Sequence, residues 1–193
     1  EQQLLSLASD PSLEVRIQLA FSAAALPADL KIPLLERVIA SGPGDRWLET
    51  AVLSSLRDGS AELFAKLVQN KSFRSEAAGR FLATLATQIG QQNQPSDIDL
   101  AIKQVSALPA SSASFTLPVL GSLTAYRSRK NHYLQQLSQQ GKLSTLDDLK
   151  EKLVRAAGVA AQNADVAVAD RVAATKSMRF GKLERVSAPL TAL

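Results

Sequence analysis

Asp10-Pro11-Ser12-Leu13-Glu14-Val15-Arg16 is the stretch on which the reading of this chain turns, and Asp45-Arg46-Trp47-Leu48 answers it 35 positions after Asp10. An Asp at a helix start satisfies free backbone amides, and a Pro at the first helical position has no amide to satisfy. The stretch therefore predicts a helix opened by Asp10 and Pro11 that runs from Ser12 to about Leu26, where Pro27 ends it. Val15, Leu19 and Leu26 are its expected buried stripe, with the small Ala20 and Ala23 between them. Upstream, Leu4, Leu5 and Ala8 share one helical face.

A period near 35 residues is that of a helical hairpin, and the chain beyond repeats the plan. Leu30, Leu34, Leu35, Val38 and Ile39 make one helix face, Gly42-Pro43-Gly44 makes a turn, and Asp45 caps a helix carrying Leu48, Ala51, Val52, Ser55 and Leu56. A third hairpin pairs Leu63, Phe64, Leu67 and Val68 with Phe81, Leu82, Leu85 and Ile89 across a turn at Asn70-Lys71-Ser72. A fourth is expected to open at Ser96, where Ser96 and Asp99 have capping spacing, with a partner helix carrying Phe115, Val119, Leu120 and Leu123. The period then fails. Residues 127–142 are polar and read either as a helix tail or as an ordered loop, and Ser144 and Asp147 again have capping spacing. An alanine-rich stripe over 144–178 predicts one long helix or two joined near Gly158, and Gly181 a turn before a last helix from about 183.

Composition agrees and excludes a good deal. Thirty Leu and thirty Ala stand among 193 residues, against nine aromatics, which favours helix throughout. The expected fold is all-α, an α-α superhelix of about four to six hairpins, with hairpin repeats over 1–126 and a long Ala-rich helix plus the start of a further hairpin over 127–193. No cysteine is present, which removes disulfides, CxxC redox sites and thiolate metal centres, and the one histidine, His132, argues against a multi-histidine metal site. No apolar run approaches the length of a membrane span. The chain opens on Glu1 and closes on Ser187-Ala188-Pro189-Leu190-Thr191-Ala192-Leu193, which reads as a piece of a longer protein.

Charge is uneven. Residues 1–100 hold 9 Lys/Arg against 12 Asp/Glu, and residues 101–193 hold 13 against 6, a net of −3 and of +7. In the basic half Arg127, Arg129 and Lys130 lie beside Tyr126, His132 and Tyr133, a set that could contact an acidic partner or a phosphate backbone; the plainer reading is a solvated helix face. The acidic pairs Asp97/Asp99 and Asp147/Asp148 fall at expected helix starts, where the helix dipole explains them. Neither GxSxG nor GxGxxG nor a P-loop occurs, so the chain is expected to be non-catalytic, with no catalytic, cofactor-binding or metal-ligating residue and no cofactor. Trp47, the only tryptophan, is expected to pack between consecutive hairpins rather than serve as an exposed anchor.

Asp10-Pro11-Ser12-Leu13-Glu14-Val15-Arg16 resembles the HEAT-repeat pattern, in which an Asp at the turn precedes a Val-Arg pair on the second helix of a hairpin. The resemblance implies that Asp10 and Arg16, with Asp45 in the next unit, belong to a ladder of polar contacts between neighbouring repeats. Ala51 and Val52 stand where the second unit's Val-Arg pair would fall, so the pattern is closer to degenerate HEAT-like or armadillo-like repeats. Asp10–Ala25, Asp45-Arg46-Trp47, Ala51-Val52-Leu53-Ser54-Ser55 and Asp170-Arg171-Val172-Ala173-Ala174 are in addition similar to the helical segment of large bacterial multidomain proteins that join a dehydrogenase-like propeller to a cytochrome c domain. That likeness implies an exported parent in which this segment is a connector. The expected role is a scaffold or connector offering a surface to a protein partner or to flanking domains, with nucleic-acid binding through the basic half as the alternative.

Overall fold

The computed structural model describes residues 2–73, 75–125, 132–181, 186–187 and 191. Among them are eleven α-helices and no strand: α1 (Gln2–Leu7), α2 (Leu13–Ser22), α3 (Ala28–Ala40), α4 (Arg46–Ser54), α5 (Ser60–Gln69), α6 (Glu76–Gln92), α7 (Pro95–Ser106), α8 (Ala113–Thr124), α9 (His132–Gln139), α10 (Ser144–Gln162) and α11 (Val168–Ser177). The all-α expectation holds for these residues.

Alternate helices pack on one another. α1, α3, α5 and α7 form one row, each touching the next; in the other row α2 packs on α4 and α6 on α8. Sequence neighbours such as α3 and α4, or α5 and α6, close the space between the rows. The apolar stripes read from the sequence fill that space: Leu34, Leu35, Ile39, Leu48, Leu63, Phe64, Leu67, Phe81, Leu82, Leu85 and Ile89 are all essentially inaccessible to solvent. Phe73 meets Phe81 edge to face with centroids 6.3 Å apart. Beyond α8, α10 and α11 pack on each other and on α8, and their buried residues are smaller, Ala157, Ala161 and Ala174 among them.

Several helix starts differ from expectation. Ser12, not Asp10, caps α2, its Oγ accepting the Val15 N–H at 3.4 Å, while Asp10 accepts the Ser12 N–H at 2.8 Å across Pro11. α2 ends at Ser22 and tightens into a 3-10 turn over Ala23–Ala25 before Pro27. α7 starts on Pro95, whose fixed φ suits the first turn, and Ser96 bonds Asp97 instead of capping. Ser144 is helical and donates to the Gly141 carbonyl at 2.9 Å, Gly141 taking the left-handed conformation that ends the preceding turn. Asp45 caps α4 as expected, accepting the Leu48 N–H at 2.8 Å.

The Ala-rich stretch is two helices, and the break is not at Gly158, which is buried inside α10. It falls at Asn163, whose Oδ1 accepts the Asp165 N–H at 2.9 Å and so draws the backbone out of the helix. Within the ambiguous polar segment, His132–Gln139 is helical, whereas most of the expected last helix lies outside the described residues. No described helix is long and apolar enough to cross a membrane.

Candidate functional site

The residues singled out for contacts between repeats sit along the α2–α4 edge. Arg16, one turn into α2, donates from Nη1 to the Ser41 carbonyl at 3.2 Å and to Ser41 Oγ at 2.7 Å, so it reaches the turn of the following hairpin. Its Nε is buried without a hydrogen-bond partner. Asp10 and Asp45 do not join it. Each holds its own turn, Asp10 through the Ser12 N–H and Asp45 through Leu48, and Gly44 N–H adds a bond to Glu49 Oε1 at 3.0 Å. Of the three expected members only Arg16 crosses between hairpins.

Other side chains, which the motif did not flag, make the repeated crossing. Ser55 Oγ donates to the Ala20 carbonyl at 2.6 Å, Gln88 Nε2 to the Leu53 carbonyl at 3.3 Å, and Gln69 Nε2 to Gln104 Oε1 at 2.7 Å, each pair separated by 35 residues. Gln92 Nε2 to the Leu56 carbonyl, at 3.1 Å, spans 36. These bonds, made by one serine and four glutamines, fall at or near the spacing of Asp10 and Asp45, while the shorter bond of Gln88 goes to the Leu56 carbonyl at 2.8 Å, 32 residues away. Their signal in sequence is only the 35-residue spacing itself, which polar residues of this kind do not advertise.

The same edge exposes apolar side chains. Trp47 is 71% exposed, against the expectation that it packs between hairpins. It follows Arg46 in the first turn of α4 and points away from Leu48 and Ala51, which take the core positions of that turn. On neighbouring α2, Phe21 is 47% exposed and Val15, expected inside, is 37% exposed one turn before the buried Leu19.

The basic cluster cannot be assembled as expected: Arg127, Arg129 and Lys130, with Tyr126, lie outside the described residues. Tyr133 is at the start of α9 and its hydroxyl donates to the Asp99 carboxylate, at 2.8 Å from Oδ1 and 2.7 Å from Oδ2, while its N–H donates to Asn93 Oδ1 at 3.4 Å. The hydrogen bond to Asp99, with burial and the carboxylate charge behind it, pushes the phenol up to about 12. Tyr133 therefore ties α9 to α7 beside an acid, a poor neighbour for a phosphate. His132 is exposed.

A cavity of about 720 Å³ opens between the end of α8, α9 and the start of α10, lined by Thr124, Gln135, Gln139 and Lys150 over Leu120 and Leu146. Among the described residues no three His, Asp or Glu side chains converge as metal ligands would. No known protein family, curated protein or solved structure matches the chain.

Proposed function

We propose that this chain is a HEAT-like helical-repeat scaffold, a non-catalytic connector within a larger multidomain protein that presents the α2–α4 edge to a protein partner or to a flanking domain. One observation supports the reading above others: side chains bond the neighbouring unit at a 35-residue offset on several successive helices, as stacked hairpins of one superhelix would. The exposed Trp47 on α4, with Phe21 and Val15 exposed on neighbouring α2, supplies the kind of rigid aromatic and aliphatic anchor that protein interfaces use. Export of the parent, and the propeller and cytochrome neighbours, follow from the resemblance of Asp10–Ala25 and Asp45-Arg46-Trp47 and belong to the same proposal.

A photo-crosslinking residue at Thr50, exposed one turn beyond Trp47 on α4, tests it in the natural full-length chain. Discrete polypeptide adducts, or internal crosslinks to a flanking region, are expected from position 50 and not from Glu62, which is exposed on α5 in the opposite row. Equal labelling from both positions, or none from Thr50, overturns the reading. Salt-sensitive retention of duplex or single strands in a filter-binding titration would favour the nucleic-acid alternative instead.

A further inference from the structure

The helices are not joined evenly along the chain. α2 packs along α4 and α6 along α8, but α4 does not pack in that way along α6, nor along α5, to which residues 55–59 connect it. Among the described residues α3 with α5 is the one closely packed helix pair between α1–α4 and the later helices. A seam is left between α4 and α6, and water reaches it: Leu53, Gln88 and Gln92 are all half-buried.

Amide side chains hold the seam. α4 ends at Ser54, so the carbonyls at that end lack partners within the helix. Gln88 Nε2 donates to the Leu56 carbonyl at 2.8 Å and the Leu53 carbonyl at 3.3 Å, and Gln92 Nε2 to the Leu56 carbonyl at 3.1 Å and the Arg57 carbonyl at 3.4 Å. Water replaces such bonds at little cost. Toward the helix starts Gly44 and Ala77 meet closely, a Cβ on Gly44 standing 3.1 Å from that of Ala77, with no polar group to lock them.

The α3 side is built differently. Lys31, itself buried, holds Asp58, and Ile32 lies under Gly59, where a Cβ would stand 2.7 Å from its Cδ1. Gly59, at φ 82°, is in the left-handed region and stands between that tethered Asp58 and the buried Ser60 that starts α5. The Glu36–Lys66 ion pair, at 3.7 Å and partly in water, adds little to the α3–α5 contact.

We infer that the molecule bends here: α1–α4 and α5–α8 are two bodies hinged along the α3–α5 contact about Gly59, and the amides of Gln88 and Gln92 are the latch that keeps the α4–α6 seam shut. Opening swings the α2–α4 edge away from α6 and α8. The inference concerns that motion alone and stands whether or not a partner binds the edge.

Electron-electron double resonance between spin labels tests this in the whole chain, which has no native cysteine to interfere. Thr50→Cys with Thr84→Cys places labels at exposed positions of α4 and α6, across the seam. Gln18→Cys with Thr50→Cys, on α2 and α4, and Thr84→Cys with Lys103→Cys, on α6 and α7, report on each body separately. Gln88→Ala with Gln92→Ala raises the population of a longer distance across the seam by about tenfold, while both control pairs keep their narrow wild-type distributions. Should that double variant fail to fold, Gln92→Ala alone gives the same longer distance in smaller amount. A seam pair that stays as narrow as the controls in the variant that folds overturns the inference. So do control pairs that broaden together with the seam, since that is general loosening and not a hinge.

Discussion

Asp58 is held by a side chain that has almost no access to water. Lys31 is 4% exposed, and its ammonium meets the Asp58 carboxylate, which itself stands largely in solvent. The hydrogen bond from Lys31, then its charge, holds the Asp58 carboxyl below its ordinary value of 3.8. A depressed folded value means that the contribution of the pair is fully present at neutral pH and is lost as pH falls from about 3.8 through the folded value. Asp58→Asn should lower the melting temperature at pH 7, because it leaves a buried ammonium facing a neutral amide, and thermal melts should show the gap to wild type closing below that pH. Lys31→Met should cost less than Asp58→Asn, since it removes the buried charge together with the need for a partner. Arg16 gives a second test at this scale. Because it bonds Ser41 and not Asp10, Arg16→Ala and Ser41→Ala should be coupled in a double-mutant cycle, each alone costing about 1 kcal/mol, whereas Asp10→Ala and Arg16→Ala should add without coupling. Coupling between Asp10 and Arg16 would return the ladder to the form the motif implies.

At the scale of the element, the helices were readable because leucine stripes and Pro or Gly turns mark them plainly; the starts were not, because several Ser and Asp side chains stand within reach of the same amides. Ser12 caps α2 in place of Asp10, and α7 starts on Pro95, one residue before Ser96, with no side-chain cap. Trp47 shows a different limit. Helical periodicity says which side of α4 it occupies only once the buried side is known, and Leu48 with Ala51 claims that side. The join between α8 and the 3-10 turn after α11 could not be read at all, since it pairs Gly121 with Phe180 across the chain. A Cβ at Gly121 would stand 2.7 Å from the Phe180 ring. Gly to Ala inside a helix ordinarily stabilises by about 1 kcal/mol. Gly121→Ala should instead destabilise, by about 1–3 kcal/mol, because the ring must leave its seat on α8. Chemical denaturation should show that cost fall toward zero or reverse in a Phe180→Ala background.

Across the whole molecule the cohesion is unevenly shared, and the difference sets in after α8. Large side chains with essentially no access to solvent run from Leu34 to Ile89 on α3–α6 and continue with Ile98, Leu117, Leu120 and Leu123 on α7 and α8, whereas α11 buries only Ala174 and Ser177. Beyond α8 the buried residues of α10 and α11 are mostly alanines and small side chains, which remove less apolar surface from water per residue. Ser177 Oγ donates to the Ser114 carbonyl at 3.2 Å and so joins this end to α8. In a chain whose helices touch mainly their neighbours, stability is close to a sum of local and nearest-neighbour terms, so weak ends open without the middle. Amide hydrogen exchange should therefore show α5 and α6 protected to nearly the global unfolding free energy, with α10 and α11 exchanging through an opening about 2–4 kcal/mol less costly. The α2 amides should fall between, since Arg16 and Ser55 clamp α2 to the following unit while half of its surface faces solvent. Uniform protection from α2 to α11 would mean a single cooperative core, and the picture of additive hairpins would have to be given up.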